Sequence, residues 1–248
     1  MCFDVDSLPP VPVIAGAAVS HERLTLTSDA PFAAFLATPD GELRESVVIL
    51  PDVRGLYRFY EELALRFAER GIAAIAVDYF GRTAGAEPRG EDFEYRPHVD
   101  QTTDDGVQAD TRAAVEELRG RGATAVFTVG FCYGGRASWI AAASGHGLAG
   151  AAGFYGSPTR ERGGSPSAVA LAPKMACPVL ALQAGADGNI TADDNAGFDE
   201  ALTAAGVEHE IITYPGAPHS FFDRKQEEFA DASADAWQRV LDFVAARA

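Results

Sequence analysis

The run Ala125-Val126-Phe127-Thr128-Val129-Gly130-Phe131-Cys132-Tyr133-Gly134-Gly135 constrains the fold of this 248-residue chain more than any other stretch. Its first half is an unbroken apolar segment, which reads as a buried strand. The residues after it, Arg136-Ala137-Ser138-Trp139-Ile140-Ala141-Ala142-Ala143, read as a helix. A cysteine between glycines at such a strand-to-helix junction has the form of a nucleophile elbow with cysteine at the serine position. The sharp turn holds its central residue in a strained conformation, so its flanks must be small. Gly130 and Gly134 meet that need, and Gly135 lets the helix start close to the sheet. Cys132 would be raised above the strand end, at a helix N-terminus that favours a thiolate. Taken alone, the same pattern also fits a buried structural cysteine or a phosphate-binding turn.

An elbow implies an acid and then a histidine further along the chain, each at the end of a later strand. Pro178-Val179-Leu180-Ala181-Leu182-Gln183 is strand-like and ends in Ala184-Gly185-Ala186-Asp187-Gly188-Asn189. Glu210-Ile211-Ile212-Thr213-Tyr214 is a second such run, ending in Pro215-Gly216-Ala217-Pro218-His219-Ser220. Asp187 and His219 thus each follow an apolar strand, and in a parallel sheet such loops converge on one edge. His219 would take the Cys132 thiol proton or hold the pair as thiolate and imidazolium. Asp187 would fix the imidazole tautomer. Singly, Asp187 also reads as a turn former and His219 as a loop histidine; all three in order favour a triad.

The remaining pattern alternates strands and helices. An antiparallel pair is expected over residues 24–27 and 32–36, then a strand at 47–50, a helix at 57–70 and a strand at 72–77. Helices are expected at 103–119, at 191–205 behind a Thr191/Asp194 capping box, and at 223–247. This alternation predicts one α/β domain over residues 1–248, with a mostly parallel sheet covered by helices on both faces. Residues 1–22 read as an N-terminal extension. The polar, Gly- and Pro-rich residues 81–101 read as a flexible loop over the site. With 47% hydrophobic residues the chain can bury one sizeable core. Its net charge of -16 argues against nucleic acid or an anionic membrane as a partner. The absence of a long apolar run or a basic leader, and three cysteines without metal or disulfide spacing, point to a reducing cytoplasm.

The elbow Gly-Phe-Cys-Tyr-Gly-Gly, the Gly-Ala-Asp turn and the Gly-Ala-Pro-His-Ser-Phe turn together resemble the dienelactone hydrolase family of the α/β-hydrolase fold, from about residue 24 to the C-terminus. That resemblance implies Cys132 as nucleophile with Asp187 and His219. It implies hydrolysis of a small ester or lactone through an acyl-cysteine, without cofactor or metal, with dienelactone itself (the carboxymethylenebutenolidase reaction) among the candidate substrates. It also implies an acidic residue engaging the resting thiol, here Asp52, and an oxyanion hole from the N–H groups of Val53 and Tyr133. Two arginines would be expected to hold a substrate carboxylate. Arg82 matches one, but Asp223 stands at the other and opposes an anion, so a neutral ester fits at least as well.

Tyr79, Phe80, Tyr155 and Phe222 adjoin strand ends and are candidates for lining the pocket or for packing the core. Arg54, Arg58 and Arg136 are further cationic candidates, each also readable as a surface or packing residue. Cys177, Trp139 and Trp237 read as packing residues, and Cys2 as part of a mobile terminus. His21, His98, His146 and His209 share no metal spacing and read as surface or loop residues. An acyltransferase would need the same triad as a hydrolase, and a silent binding protein of the same fold fits the intact triad poorly.

Overall fold

Val47 and Ile49 face one apolar layer, while the intervening Val48 and Leu50 face another. Successive side chains of a strand point to opposite faces, so a strand apolar on both must be covered on both. The architecture follows from that requirement. The structure, a computed structural model, describes residues 3–90 and 92–247.

A hairpin comes first, β1 (Val19–Thr27) and β2 (Pro31–Pro39), paired antiparallel with Leu24 opposite Ala34. β3 (Glu45–Leu50), α1 (Arg58–Ala68) and β4 (Ala73–Val77) follow. Two single-turn helices, α2 (Gly81–Ala84) and α3 (Arg96–Val99), precede α4 (Asp104–Gly120). Next come β5 (Ala125–Phe131), α5 (Tyr133–Ala142), β6 (Gly150–Phe154) and a short α6 (Ala168–Leu171). The chain closes with β7 (Val179–Ala184), α7 (Ala192–Ala205), β8 (His209–Tyr214) and α8 (Ala230–Ala245). The expected Thr191/Asp194 capping box starts α7, and left-handed Gly206 ends it.

The strands form one eight-stranded sheet in the order β1-β2-β4-β3-β5-β6-β7-β8. Within this sheet, among the described residues, the β1–β2 and β2–β4 pairings are antiparallel and the others parallel. Phe59, Tyr60 and Leu63 of α1 pack with Trp237, Val240 and Val244 of α8 on one face. Val107 and Val115 of α4, Trp139 of α5 and Phe198 of α7 cover the other. The carboxyl ends of the parallel strands therefore deliver Asp52, Cys132, Asp187 and His219 to one edge. No helix among the described residues is long and apolar enough to cross a membrane.

Three expectations need correction. The last helix begins at Ala230 rather than 223, after a 3₁₀ turn at Glu227–Phe229, because the backbone before it is tied elsewhere. Asp223 accepts hydrogen bonds from Ser7 Oγ and from the Lys225 N–H, and Ser220 has φ of 62°. The 1–22 extension is no simple overhang: residues 19–22 already pair in β1, and Phe3 is buried in the core. Within residues 81–101, Arg89 pairs with buried Asp78 at 2.6 Å and lies over the Phe80 and Phe93 rings. His146 is not a surface residue but is 4% exposed, with its Nε2 bonded to Gln108 Oε1 at 2.9 Å. Cys2 lies outside the described residues.

Candidate active site

Cys132 has φ of 55° and ψ of -109°, a conformation that costs a side-chain-bearing residue about 1–3 kcal/mol. Neighbouring backbone holds it there. Its N–H donates to Phe154 O at 2.9 Å, across the in-register Phe131–Phe154 pairing of β5 and β6. The glycines around it leave no room for alternatives. A Cβ at Gly130 would sit 1.9 Å from Gly134 O, one at Gly134 would sit 2.0 Å from Leu50 O, and one at Gly135 would sit 2.6 Å from Phe154 O. The elbow is thus wedged between the ends of β3 and β6, with Cys132 half-buried at the start of α5.

The loops after β7 and β8 are stitched together by Gly185 N–H to Tyr214 O and Ala186 N–H to Ala217 O, each 2.9 Å. That stitching brings Asp187 and His219 together: His219 Nδ1 lies 2.5 Å from Asp187 Oδ2. The second carboxylate oxygen accepts the Asn189 N–H at 2.9 Å. Burial pushes the Asp187 carboxyl up, but bonds from His219 and the backbone of Asn189 and Ile190 outweigh it and hold it below the usual range. The His219 ring packs against Tyr155, 5.0 Å between centroids. Tyr155 itself has a positive φ of 36° and donates its N–H to Leu182 O at 2.9 Å.

Asp52 sits just past β3 and is 1% exposed. Its N–H donates to the Tyr60 hydroxyl at 2.8 Å, and its Oδ1 accepts the Arg54 N–H at 2.8 Å. Oδ2 faces the Arg54 guanidinium at 3.4 Å and the Tyr57 hydroxyl at 3.2 Å. Val53 occupies the second position of a turn closed by Gly55 N–H to Asp52 O, so its own N–H is not used to close that turn. Tyr133 is the first residue of α5, where an N–H has no acceptor within the helix. The closeness of Gly134 to Leu50 O and Pro51 O sets these two backbone segments side by side.

The other expected site residues have partners of their own. Arg82 binds Asp110 at 2.7 Å together with Asp29, Ser28 and Gly106 O, because Asp110 is fully buried and needs a cation. Phe80 and Phe222 are fully buried and pack the core, Phe80 against Phe93 and His98, Phe222 against Phe131 and Phe154. Tyr79 is nearer the site: its hydroxyl donates to Pro51 O at 2.8 Å and its ring meets Tyr133. Burial above all, with Tyr133, Asp52 and Cys132 nearby, keeps that phenol protonated. Arg136 forms a buried two-pronged pair with Asp104 at 2.8 and 2.7 Å, and Arg58 is an exposed partner of Glu62. Cys177 is buried, which pushes its thiol up to about 11. A cavity of about 260 Å³ opens beside the Asp52 loop, bounded by Val5, Arg54, Tyr57, Arg89 and Phe93. Cys132 is not among its lining residues.

Residues 32–247 match the family model described as the dienelactone hydrolase family. The chain belongs to that family. As a dienelactone hydrolase family member it has the α/β-hydrolase fold and is a hydrolase of carboxylic esters or lactones. A Salmonella typhi relative named "Putative carboxymethylenebutenolidase" is 32% identical over 225 residues, covering 86% of this chain and 82% of that one. The "Carboxymethylenebutenolidase" of Rhodococcus opacus is 29% identical and covers 98% of this chain and 96% of its own. The crystal structure of a "Putative Dienelactone Hydrolase" from Klebsiella pneumoniae has a TM-score of 0.80 and 28% identity, covering 92% of this chain and 99% of that chain.

Sequence patterns did not single out Tyr60 or Arg89, nor Phe3 beneath the site. Tyr60 is one of several aromatics at helical spacing, and only its hydroxyl bond to the Asp52 N–H separates it from them. Arg89 lies in a polar stretch where nothing local marks a partner for Asp78.

Proposed function

We propose that this dienelactone hydrolase family member cleaves small neutral carboxylic esters or lactones through an acyl-cysteine on Cys132. His219 takes the thiol proton as the sulfur attacks the carbonyl carbon, and the resulting oxyanion faces the N–H groups of Val53 and Tyr133. The ester C–O bond then breaks, and the leaving alkoxide takes the proton from His219. Water, giving up a proton to His219, attacks the thioester; the acid leaves and the thiol is restored. Asp187 holds the ring and stabilises its charge.

The observation that carries this reading is the constrained backbone of Cys132 at the start of α5. Strain of this kind persists where surrounding structure enforces it, and it clusters at reacting groups. The Asp187–His219 hydrogen bond adds the base and its orienting group. Preference for a neutral substrate is supported by the engagement of Arg82 with Asp110 and by the carboxylate of Asp223. Cys132→Ala is expected to abolish turnover of p-nitrophenyl acetate, and iodoacetamide is expected to label the wild-type protein once at Cys132 with parallel loss of activity. Full activity in Cys132→Ala would overturn the mechanism. Strong preference for an anionic lactone over neutral esters would overturn the substrate reading.

A further inference from the structure

Phe3 is far from the candidate site in sequence, yet its ring touches a support of each part of it. It stacks on Phe59 with centroids 3.9 Å apart and planes 17° apart. It also meets Tyr60 at 6.3 Å, Phe131 at 6.4 Å and Tyr155 at 6.4 Å, and the residue is only 4% exposed. These neighbours have separate duties. Phe131 directly precedes Cys132. The Tyr60 hydroxyl receives the Asp52 N–H, ahead of Val53. The Tyr155 ring lies against His219.

The segment that brings Phe3 there is fastened to the loop after His219. Ser7 is fully buried and donates from Oγ to Asp223 Oδ2 at 2.7 Å. The Arg224 N–H donates to Leu8 O at 3.0 Å, and the Lys225 ammonium pairs with Asp4 and Asp6. Asp223, at the position where an arginine was expected to meet a substrate carboxylate, is instead an anchor for the chain's own N-terminal segment. One wall of the cavity beside the Asp52 loop comes from the same segment, through Val5.

We infer that Phe3 is a positioning residue of the catalytic site, with Ser7 and Asp223 as the clasp that seats it. The inference rests on the reading of Cys132, Asp187 and His219 given above. Protein interiors are packed densely enough to transmit a displaced side chain to its neighbours. An emptied Phe3 position borders Tyr60, Phe131 and Tyr155 together, so all three reacting parts lose a common wedge. A misplacement of about 1 Å can cost roughly 100-fold in rate.

The test compares Phe3→Ala, Phe3→Leu, Ser7→Ala, Leu118→Ala and Cys132→Ala in the full chain, at a temperature where circular dichroism shows each folded. Leu118→Ala empties a core position on the opposite face of the sheet. The readouts are kcat and KM for p-nitrophenyl acetate and the pH midpoint of Cys132 alkylation by iodoacetamide. Phe3→Ala is expected to lower kcat by roughly 10- to 100-fold with KM held within about threefold, and to shift the alkylation midpoint. Phe3→Leu should recover part of the loss, and Leu118→Ala should keep kcat. Ser7→Ala loosens the clasp without emptying the core; it should lower kcat in the same sense and decides the matter if Phe3→Ala does not fold. Wild-type kcat and midpoint in Phe3→Ala and Ser7→Ala, or an equal loss in Leu118→Ala, would overturn the inference. If those results came with an inactive Cys132→Ala, only the role of Phe3 would fall; an active Cys132→Ala would remove the site reading as well.

Discussion

His219 Nδ1 lies 2.5 Å from Asp187 Oδ2, and the carboxylate is fully shielded while the imidazole keeps 17% exposure. A carboxylate accepts only, so Nδ1 carries the hydrogen and Nε2 is left to accept a proton. An amide at position 187 can offer a donor instead and favour the wrong tautomer. Asp187→Asn is expected to lower kcat/KM by roughly 100- to 10,000-fold while the chain stays folded, measured by steady-state ester hydrolysis beside circular dichroism.

The same pair predicts a pH dependence of stability. Burial raises the Asp187 carboxyl, the bonds from His219, Asn189 and Ile190 lower it, and the net shift is downward. A depressed carboxylate contributes stability above its unfolded pKa, about 3.9, and loses it as pH falls through the lower folded value. The difference in urea midpoint between the native chain and Asp187→Asn should therefore be steady from about pH 5 to 8 as far as Asp187 titration is concerned, and shrink below about pH 4. A gap that closes between about pH 5 and 7 would contradict the downward shift.

Gly130→Ala places a Cβ 1.9 Å from Gly134 O, a contact with backbone that no rotamer relieves. It is expected to cost more than about 2 kcal/mol or to prevent folding. A Cβ at Gly120 meets nothing within 4 Å, so Gly120→Ala should lie between neutral and about 1 kcal/mol more stable. Denaturant titration of the two variants checks the contrast.

Arg82→Gln tests whether that guanidinium serves the fold or a substrate. Its removal leaves Asp110, 0% exposed, without its cation. A loss of about 2–3 kcal/mol in stability is expected, below the figure for a fully buried pair because Arg82 is itself 25% exposed. KM for neutral and anionic esters should stay within about twofold of the native value. A selective rise in KM for an anionic lactone would return Arg82 to the binding site.

His146 is a buried histidine whose Nε2–H is taken by Gln108 Oε1, since the Gln108 amide nitrogen is already donating to Ala137 O. Its Nδ1 has no hydrogen-bond partner among the described residues, so a second proton there would be a buried donor without an acceptor. Burial above all, with Arg112 and Arg119 nearby, pushes its pKa down to about 4. The unfolded chain then binds the proton first, and stability falls as pH drops from about 6.5 toward the folded value. The contribution of His146 to that loss between about pH 7 and pH 4.5 should be up to about 2 kcal/mol, and His146→Gln should flatten the urea-midpoint profile over that window.

Features set by consecutive residues are legible in the sequence itself. The elbow around Cys132, the hairpin before Pro31 and the Thr191/Asp194 box each depend on a few neighbouring side chains and on backbone freedom at glycine. The start of α8 is not legible there, because nothing near Asp223 in sequence reveals that Ser7 claims its carboxylate. Arg82 and His146 escape a sequence reading for the same reason. Their partners, Asp110 and Gln108, are brought to them by the packing of α4 on the sheet, and a buried charge or ring nitrogen goes where a partner is available.

By itself the sequence determined the alternating α/β order, the constrained cysteine and the later loops that carry Asp187 and His219. Hydrophobic periodicity and glycine geometry are local, and parallel strands send such loops to one edge. Only the tertiary structure decided that Asp187 meets His219 at hydrogen-bond distance, that Arg82 is engaged by Asp110, and that Phe3 fills the space beneath the site. Those outcomes depend on long-range packing, in which each buried polar group must find a partner and each void a side chain.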